Sequence, residues 1–433
     1  MQLIDHIPAV LRILAVFAVI LIAIRKKMSL GNAFIIGSLG LGLVFGMAPP
    51  AIFKAMLLAL MQPKTLSLAA IVSLILVLSH SMEASGQMKR LLTGFQGLVR
   101  HAGLNMIVFP ALIGLLPMPG GAVFSAPMVK NLAQTHRLSG AAMSYVNYWF
   151  RHIWEYWWPL YPGVLLTTTL AGIDLWWFVC SLFPLTLVAV FFGYWPLKSL
   201  RNGPGGPEAK NRADRGAIKQ FLFELQPIAI AIGLGLGLGA VLTPLLAPLH
   251  VTIAKELGLI AALLLAIGNV WRLNRMTRAS CWQILTRKDL LKMGYMVAGI
   301  LIFKGILQDS QAVSAVGTEL MHWHIPIFSI TIILPMLVGA VCGITIAFVG
   351  TTFPILISLV HSLGLGHLML AYMMLALASG FVGVLFSPLH LCLLLSNEYF
   401  NTTLGAVYRY LWPPCLAILA AACAYFFLLQ YLL

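Results

Sequence analysis

Charged residues make up only 9% of this 433-residue sequence, against 61% hydrophobic ones, and the acidic side is the thinner: 12 Asp and Glu face 27 Lys and Arg. So little charge cannot cover a water-soluble body of this length, which excludes an aqueous fold and predicts an all-α polytopic membrane protein. The formal charge of +15 does not point to nucleic acid, because the basic residues sit in short loops between apolar spans rather than on one amphipathic face. That distribution is the mark of cytoplasmic loops. The six cysteines, Cys180, Cys281, Cys342, Cys392, Cys415 and Cys423, fall mostly inside apolar runs without CxxC or Cys/His ligand spacing. They read as small core residues, not as a redox or metal set. Gly-x-Ser-x-Gly, His-Glu-x-x-His and P-loop stretches are missing too, and without a P-loop this chain alone cannot drive transport with ATP. No basic segment precedes the first apolar run; Arg25, Lys26 and Lys27 follow it, with no small-residue cleavage site, so it reads as a retained span.

What is present is a repeat. Residues 109–132, FPALIGLLPMPGGAVFSAPMVKNL, return as 334–359, LPMLVGAVCGITIAFVGTTFPILISL. Pro110 and Gly114 match Pro335 and Gly339 at a shift of about 225, Pro127 matches Pro354 after an insertion, and residues 75–85 overlie 300–310 at the same shift. Such matches imply an internal duplication. Both copies are apolar at their ends and interrupted by Gly, Pro, Ser and Thr, which in a membrane is tolerated only where protein or a water-filled cavity receives the freed backbone groups. They are therefore expected to be re-entrant hairpins, at about 102–132 and 325–361, flanking a transport site.

A span needs about 20 apolar residues. Expected segments are 9–24, 30–47, 66–82, 140–170 and 175–197, then 225–245, 253–271, 292–307, 368–395 and 404–432. Each half, 1–197 and 220–433, thus holds five spans and one hairpin, joined by a Gly-, Pro- and charge-rich linker at 198–219. An odd number of spans inverts the second half relative to the first. The basic loops agree: those after spans one, three, five and seven lie on one side if the N-terminus is outside. The predicted architecture is two inverted repeats in the inner (plasma) membrane, with opposed hairpins meeting near the midplane.

This order of spans, the Gly/Ser/Thr/Pro tip in each half and an interrupted span after each hairpin resemble the ion transporter superfamily of secondary carriers. The block GVLFSPLHLCLLLS, residues 383–396, is similar to a bacterial and archaeal branch near the gluconate:proton symporters. The tips read PMPGGAVFS and AFVGTT where the dicarboxylate carriers have Ser-Asn-Thr. The resemblance implies a homodimeric carrier of small anionic solutes.

Candidate substrate-binding residues are Gly120, Gly121 and Ser125 at one tip and Gly350, Thr351 and Thr352 at the other. Glycine lets a ligand approach the backbone, and the hydroxyls stand beside freed amides. Half-helix N-termini there suit a carboxylate and freed carbonyls suit a cation. In YVNYWFRHIWEYWWPLYPG, residues 145–163, the ionisable Arg151, His152 and Glu155 lie within an apolar run, where each costs at least about 2.5 kcal/mol unless it meets a partner or a cavity. Pro159 here and Pro388 in the second half are expected to break their spans. Arg151 is a candidate for the substrate anion, or an i,i+4 ion pair with Glu155. Coupling candidates are Glu155, His152, Lys304, whose repeat mate is the neutral Ser79, and His390 after the Pro388 break. The function expected is secondary active transport of a small organic anion, coupled to protons or sodium, by elevator or rocking motion. A passive channel is the alternative. An intramembrane enzyme using His152 and Glu155 stands further back, because a metal site wants three or four ligands. No cofactor or metal is expected besides a coupling H+ or Na+; the partners are the substrate and the bilayer.

Overall fold

The computed structural model describes residues 7–96, 102–117, 121–133, 138–197, 215–323 and 325–433, and among these it is built of α-helices without a strand. The first half contains α1 (Ala9–Arg25), α2 (Leu30–Val44), α3 (Pro49–Met61), α4 (Pro63–Ala84), α5 (Gln87–Gln96), α6 (Ala102–Gly114), α7 (Ala122–Ala133), α8 (Gly140–Trp149), α9 (Pro162–Ala171) and α10 (Leu175–Tyr194). The second contains α11 (Arg215–Leu246), α12 (Ala254–Leu273), α13 (Arg278–Leu285), α14 (Lys288–Asp309), α15 (Ala312–His322), α16 (Ile327–Cys342), α17 (Thr345–Ser362), α18 (Met369–Leu385), α19 (Leu391–Tyr399) and α20 (Leu404–Leu432). Among the described residues, eight stretches are long and apolar enough to cross a membrane, including Pro63–Ala84, Leu175–Tyr194, Ala254–Leu273 and Leu404–Leu432. This is a multi-pass membrane protein. Exposed Phe53, Leu187, Phe191, Leu245 and Leu416 give it an apolar exterior that water would not tolerate and lipid does.

Local sequence sets the helix starts. Ser29, Ser139, Asp174, Thr277 and Thr403 each accept a first-turn amide of the helix that follows, satisfying donors that have no partner inside the helix. Proline opens α3, α4 and α9, where its missing N–H is not needed. Four helices were not anticipated as elements: α3, α5, α13 and α15. They fall between spans and form two matched pairs. Residues 215–219, expected in the linker, are the first turn of α11, while 198–214 lie outside the described residues.

Among the described residues, the ten α-helices before residue 198 and the ten after residue 214 follow one another in the same order. The bounds of α4 and α14 differ by 225 at both ends, and the starts of α5 and α15, and of α6 and α16, differ by the same amount. Packing follows the correspondence as well. The contacts α1 to α2, α5 to α11, α6 to α8 and α7 to α19 are matched by α11 to α12, α15 to α1, α16 to α18 and α17 to α9. Each hairpin, α6–α7 and α16–α17, therefore packs on the interrupted segment of its own half and reaches across to the other. At the centre lies α18, every residue of which is buried.

Glycines permit close backbone contacts between each hairpin and the segment behind it. A Cβ on Gly114 would stand 2.0 Å from the carbonyl oxygen of Arg151, and one on Gly339 would stand 2.2 Å from that of Gly380. Both are distances at which only hydrogen fits, so these repeat-related glycines fix how each hairpin docks on the segment behind it.

Candidate functional site

Two helices fail in the middle of the molecule. The first segment ends as α-helix at Trp149, passes through a tight turn at Phe150–His152, and resumes only at Pro162. The second stops at Leu385 and resumes at Leu391, with Pro388 between. Proline cannot donate to the helix ladder and its ring crowds the preceding turn. The carbonyls set free in these regions must find donors, since no lipid supplies one. They find aromatic and imidazole side chains. Tyr161 Oη donates to Gly114 O (2.6 Å), Trp154 Nε1 to Ala111 O (2.7 Å), Tyr148 Oη to Leu385 O (3.3 Å) and Tyr408 Oη to Phe386 O (2.8 Å). The dense Trp and Tyr of residues 145–163 thus tie hairpin, break and neighbouring helices together.

The two breaks bring His152 and His390 together, 238 residues apart in sequence, with their rings nearly perpendicular (78°) and their Nε2 atoms 3.0 Å from one another. His152 Nδ1 lies 2.5 Å from Tyr148 O, and His390 Nδ1 lies 2.9 Å from Gly343 O. Glu155 stands beside them, with Oε1 3.7 Å from His152 Nε2 and Oε2 accepting from Thr345 Oγ1 at 2.7 Å. The ring of Tyr148 packs edge-on against both imidazoles. Cys392, two residues beyond His390, completes a buried group in which one donor atom each from His152, His390 and Cys392 lie within 4.8 Å of one another. Gly343 and Thr345 belong to the turn of the second hairpin, so both breaks and that turn converge here. Arg151 is 3% exposed, and its guanidinium lies against Gly121, where a Cβ would stand 2.4 Å from Nη1.

A family profile described as "Protein of unknown function (DUF401)" matches residues 8–429, nearly the whole chain. The chain belongs to the DUF401 family. No curated protein matches the DUF401 chain. Among solved structures it is similar to the crystal structure of the Alcanivorax borkumensis YdaH transporter, described as having an unusual topology. The TM-score is 0.58, with 17% identity over 87% of this chain and 86% of that one. At that identity the likeness establishes a shared fold for the DUF401 chain.

The expected site residues of the DUF401 chain fall into three groups. Arg151, His152, Glu155 and His390 are brought together with Gly121, while Gly120 lies outside the described residues. Arg151 and Glu155 do not lie along one helix face, because the helix ends before them; Glu155 turns to Thr345 and His152 instead. Ser125 is buried in α7, its hydroxyl directed to Ala122 O at 3.4 Å. In the second hairpin the turn sits at Gly343, with φ of 66°, and Ile344, not at Gly350–Thr352. Those three lie inside α17. Gly350 packs on Ile300 of α14, and the hydroxyls of Thr351 and Thr352 donate to carbonyls of their own helix. Lys304 is elsewhere: its Nζ donates to Leu170 O (3.3 Å) near the C-terminal end of α9, where a cation suits the helix dipole.

Sequence reasoning missed Cys392, Thr345 and a neutral polar group next to the site. In the latter, Ser144 Oγ donates to Asn397 Oδ1 (2.6 Å), and Asn147 Nδ2 donates to Ser396 Oγ (2.9 Å) and Ala122 O (3.0 Å). The one local signal for Cys392 was its place two residues after His390, directly behind the Pro388 break. A cavity of about 650 Å³ lies apart, between α4, α9, α11 and α12, with Lys64, Asp174, Lys255 and Glu256 among its lining residues. Partial burial raises the carboxyl pKa of Asp174, yet its bond from Lys255 and those from the Trp177 and Trp176 amides outweigh this and hold it below the ordinary value of 3.8.

Proposed function

We propose that this protein is a secondary active carrier of a small, carboxylate-type organic anion, related to the ion transporter superfamily and driven by protons or sodium. The observation that carries the reading is the junction of two interrupted helices, each behind a hairpin, where Arg151, His152 and His390 are buried and the partly buried Glu155 stands beside them. A structural core has no need of four ionisable groups at such a break, each costing several kcal/mol to place in a membrane. A carrier needs them to hold an anion and its coupling ion. The shared fold with the YdaH transporter and the lack of a nucleotide-binding motif support the same class.

In this reading the exchange of packing partners between halves reflects two inverted repeats, with both termini outside and the linker in the cytoplasm of a cell whose inner membrane holds a homodimer. Arg151, whose charge is permanent, attracts the substrate carboxylate. Gly120, Gly121 and Ser125 line its approach from the first hairpin. From the second hairpin the contacts come from the turn, Gly343 to Thr345, with Gly350, Thr351 and Thr352 packed behind it. The coupling ion enters beside Glu155, His152 and His390, and Lys304 holds the end of α9 in register.

A thermal-shift screen of purified protein against organic acids, at two pH values and with or without sodium, tests the reading. A ligand that binds only the folded state raises its stability, by about 2.7 kcal/mol at a hundred times its Kd. A carboxylate that stabilises wild type but not Arg151→Gln is the expected result. Stabilisation of both proteins alike would remove Arg151 from the site.

A further inference from the structure

We propose that His152, His390 and Cys392, with Glu155 as the fourth donor, form a binding site for a transition-metal ion of the Zn2+ type that clamps the two helix breaks together. This goes beyond the carrier reading and does not rest on it.

Hydrogen bonding fixes the rings. A backbone carbonyl only accepts, so Nδ1 of His152 facing Tyr148 O and Nδ1 of His390 facing Gly343 O each carry the hydrogen. In the neutral rings both Nε2 atoms then present lone pairs to each other across 3.0 Å. Two lone pairs at that distance repel unless an electrophile stands between or beside them. The electrophile is a proton or a metal ion, and the remaining donors distinguish the two. A shared proton needs only the two nitrogens. Here a thiol joins the two nitrogens, Cys392 Sγ being within the 4.8 Å group, and a carboxylate stands beside them, Glu155 Oε1 lying 3.7 Å from His152 Nε2.

Two imidazoles and a thiolate suit a borderline-soft ion, whereas sodium and magnesium prefer oxygen alone. Bond lengths of about 2.0 to 2.3 Å in a tetrahedron place neighbouring donors roughly 3.3 to 3.7 Å apart, so the rings need part by only a few tenths of an ångström. The outer contacts are of the kind metal ligands use. Each imidazole has its other nitrogen on a backbone carbonyl, and the carboxylate has its other oxygen on Thr345. The ligands come from both breaks, and their supports from α8 and the second hairpin turn. A bound ion would therefore oppose any motion that separates them. In a carrier, Zn2+ would act as a brake, competing for the junction with the coupling proton.

Cobalt(II) is the probe, added to metal-free purified full-length protein in detergent and read by absorption. The expected spectrum has the strong visible bands of a tetrahedral ion and a thiolate-to-cobalt charge-transfer band, saturating near one ion per chain and displaced by Zn2+. Cys392→Ser, which hardly changes the packing, should lose the charge-transfer band and weaken binding by about tenfold or more, as even outer-sphere changes can do. Cys180→Ser, on the exposed outside of α10, should match wild type. Absence of the tetrahedral spectrum in wild type overturns the proposal and leaves a proton-sharing histidine pair. So does a spectrum that Cys392→Ser retains. Neither result touches the carrier reading, which is measured by anion binding; loss of anion binding with the cobalt spectrum intact would overturn the carrier alone.

Discussion

Replacing Gly114 by alanine tests how the first hairpin holds the broken segment. The new Cβ would lie 2.0 Å from the Arg151 carbonyl oxygen, 2.9 Å from its carbon and 3.1 Å from Trp154 Cδ1, where ordinary contacts begin at 3.4 Å. Relief requires a displacement of about 1.4 Å, the difference between 3.4 and 2.0 Å, and the obstructing atom is backbone, not the tip of a flexible side chain. The displaced backbone carries Arg151 and His152. It also strains the bond from Tyr161 to the Gly114 carbonyl. Overpacking of this kind costs about 1–3 kcal/mol, and a shift of an ångström at a binding residue can lower activity by about a hundredfold. The control is Gly40→Ala in α2, where an added Cβ meets nothing within 4 Å, so that alanine's better helix propensity should leave stability unchanged or raise it by up to about 1 kcal/mol. Thermal unfolding in detergent reads both. If Gly114→Ala melts with Gly40→Ala, at or above wild type, the close approach described between Gly114 and Arg151 is wrong.

Gly121→Ala should differ in kind from Gly114→Ala, because its Cβ meets the side-chain guanidinium of Arg151 and not backbone: the melting temperature should fall less than for Gly114→Ala while anion affinity falls, and equal affinity would separate Gly121 from the site. Thr345→Val removes the hydroxyl on Glu155 Oε2, leaving a partly buried carboxylate one donor short; a loss of about 1 kcal/mol is expected by denaturation, and no loss would show that the contact is not formed. Lys304→Met removes the cation at the end of α9 and should cost about 0.3–1 kcal/mol, read as a small fall in melting temperature. For Asp174, whose folded pKa is depressed, the contact with Lys255 stabilises fully above 3.8 and is lost as pH falls through the lower folded value. Melting curves of Asp174→Asn should therefore lie below wild type at neutral pH and converge with it in acid, by less than about 1 kcal/mol because the pair is solvent-screened.

Much of this architecture was legible from periodicity and punctuation. Long apolar runs gave spans whose ends fell within a few residues of α4, α10, α12 and α20, and Pro159 and Pro388 marked the two interrupted segments. The second hairpin turn was misplaced because AFVGTT has the composition of a loop. Threonine in an apolar helix instead bonds back to the carbonyl four residues earlier, as Thr351 and Thr352 do, and so satisfies itself without a turn. Helices α5 and α15 were passed over because they are too short to span. The junction itself was only half visible: the charges of residues 151–155 stand out against an apolar background, but the partnership of His152 with His390 and Cys392 joins two breaks by packing, and no local pattern encodes it. Cys392 in particular looks like any small core residue until His390 is turned toward Gly343 by its hydrogen bond.

Active transport at this junction is tested most directly by uptake into sealed proteoliposomes. Vesicles holding wild type or Arg151→Gln would be given a labelled organic acid selected by the stability screen, at equal concentration inside and out, with a pH or sodium gradient imposed. Wild type is predicted to accumulate the anion above its external concentration while the gradient lasts, and Arg151→Gln to show none. No accumulation by wild type under either gradient would contradict active transport, and accumulation undiminished in Arg151→Gln would place the substrate away from the two helix breaks.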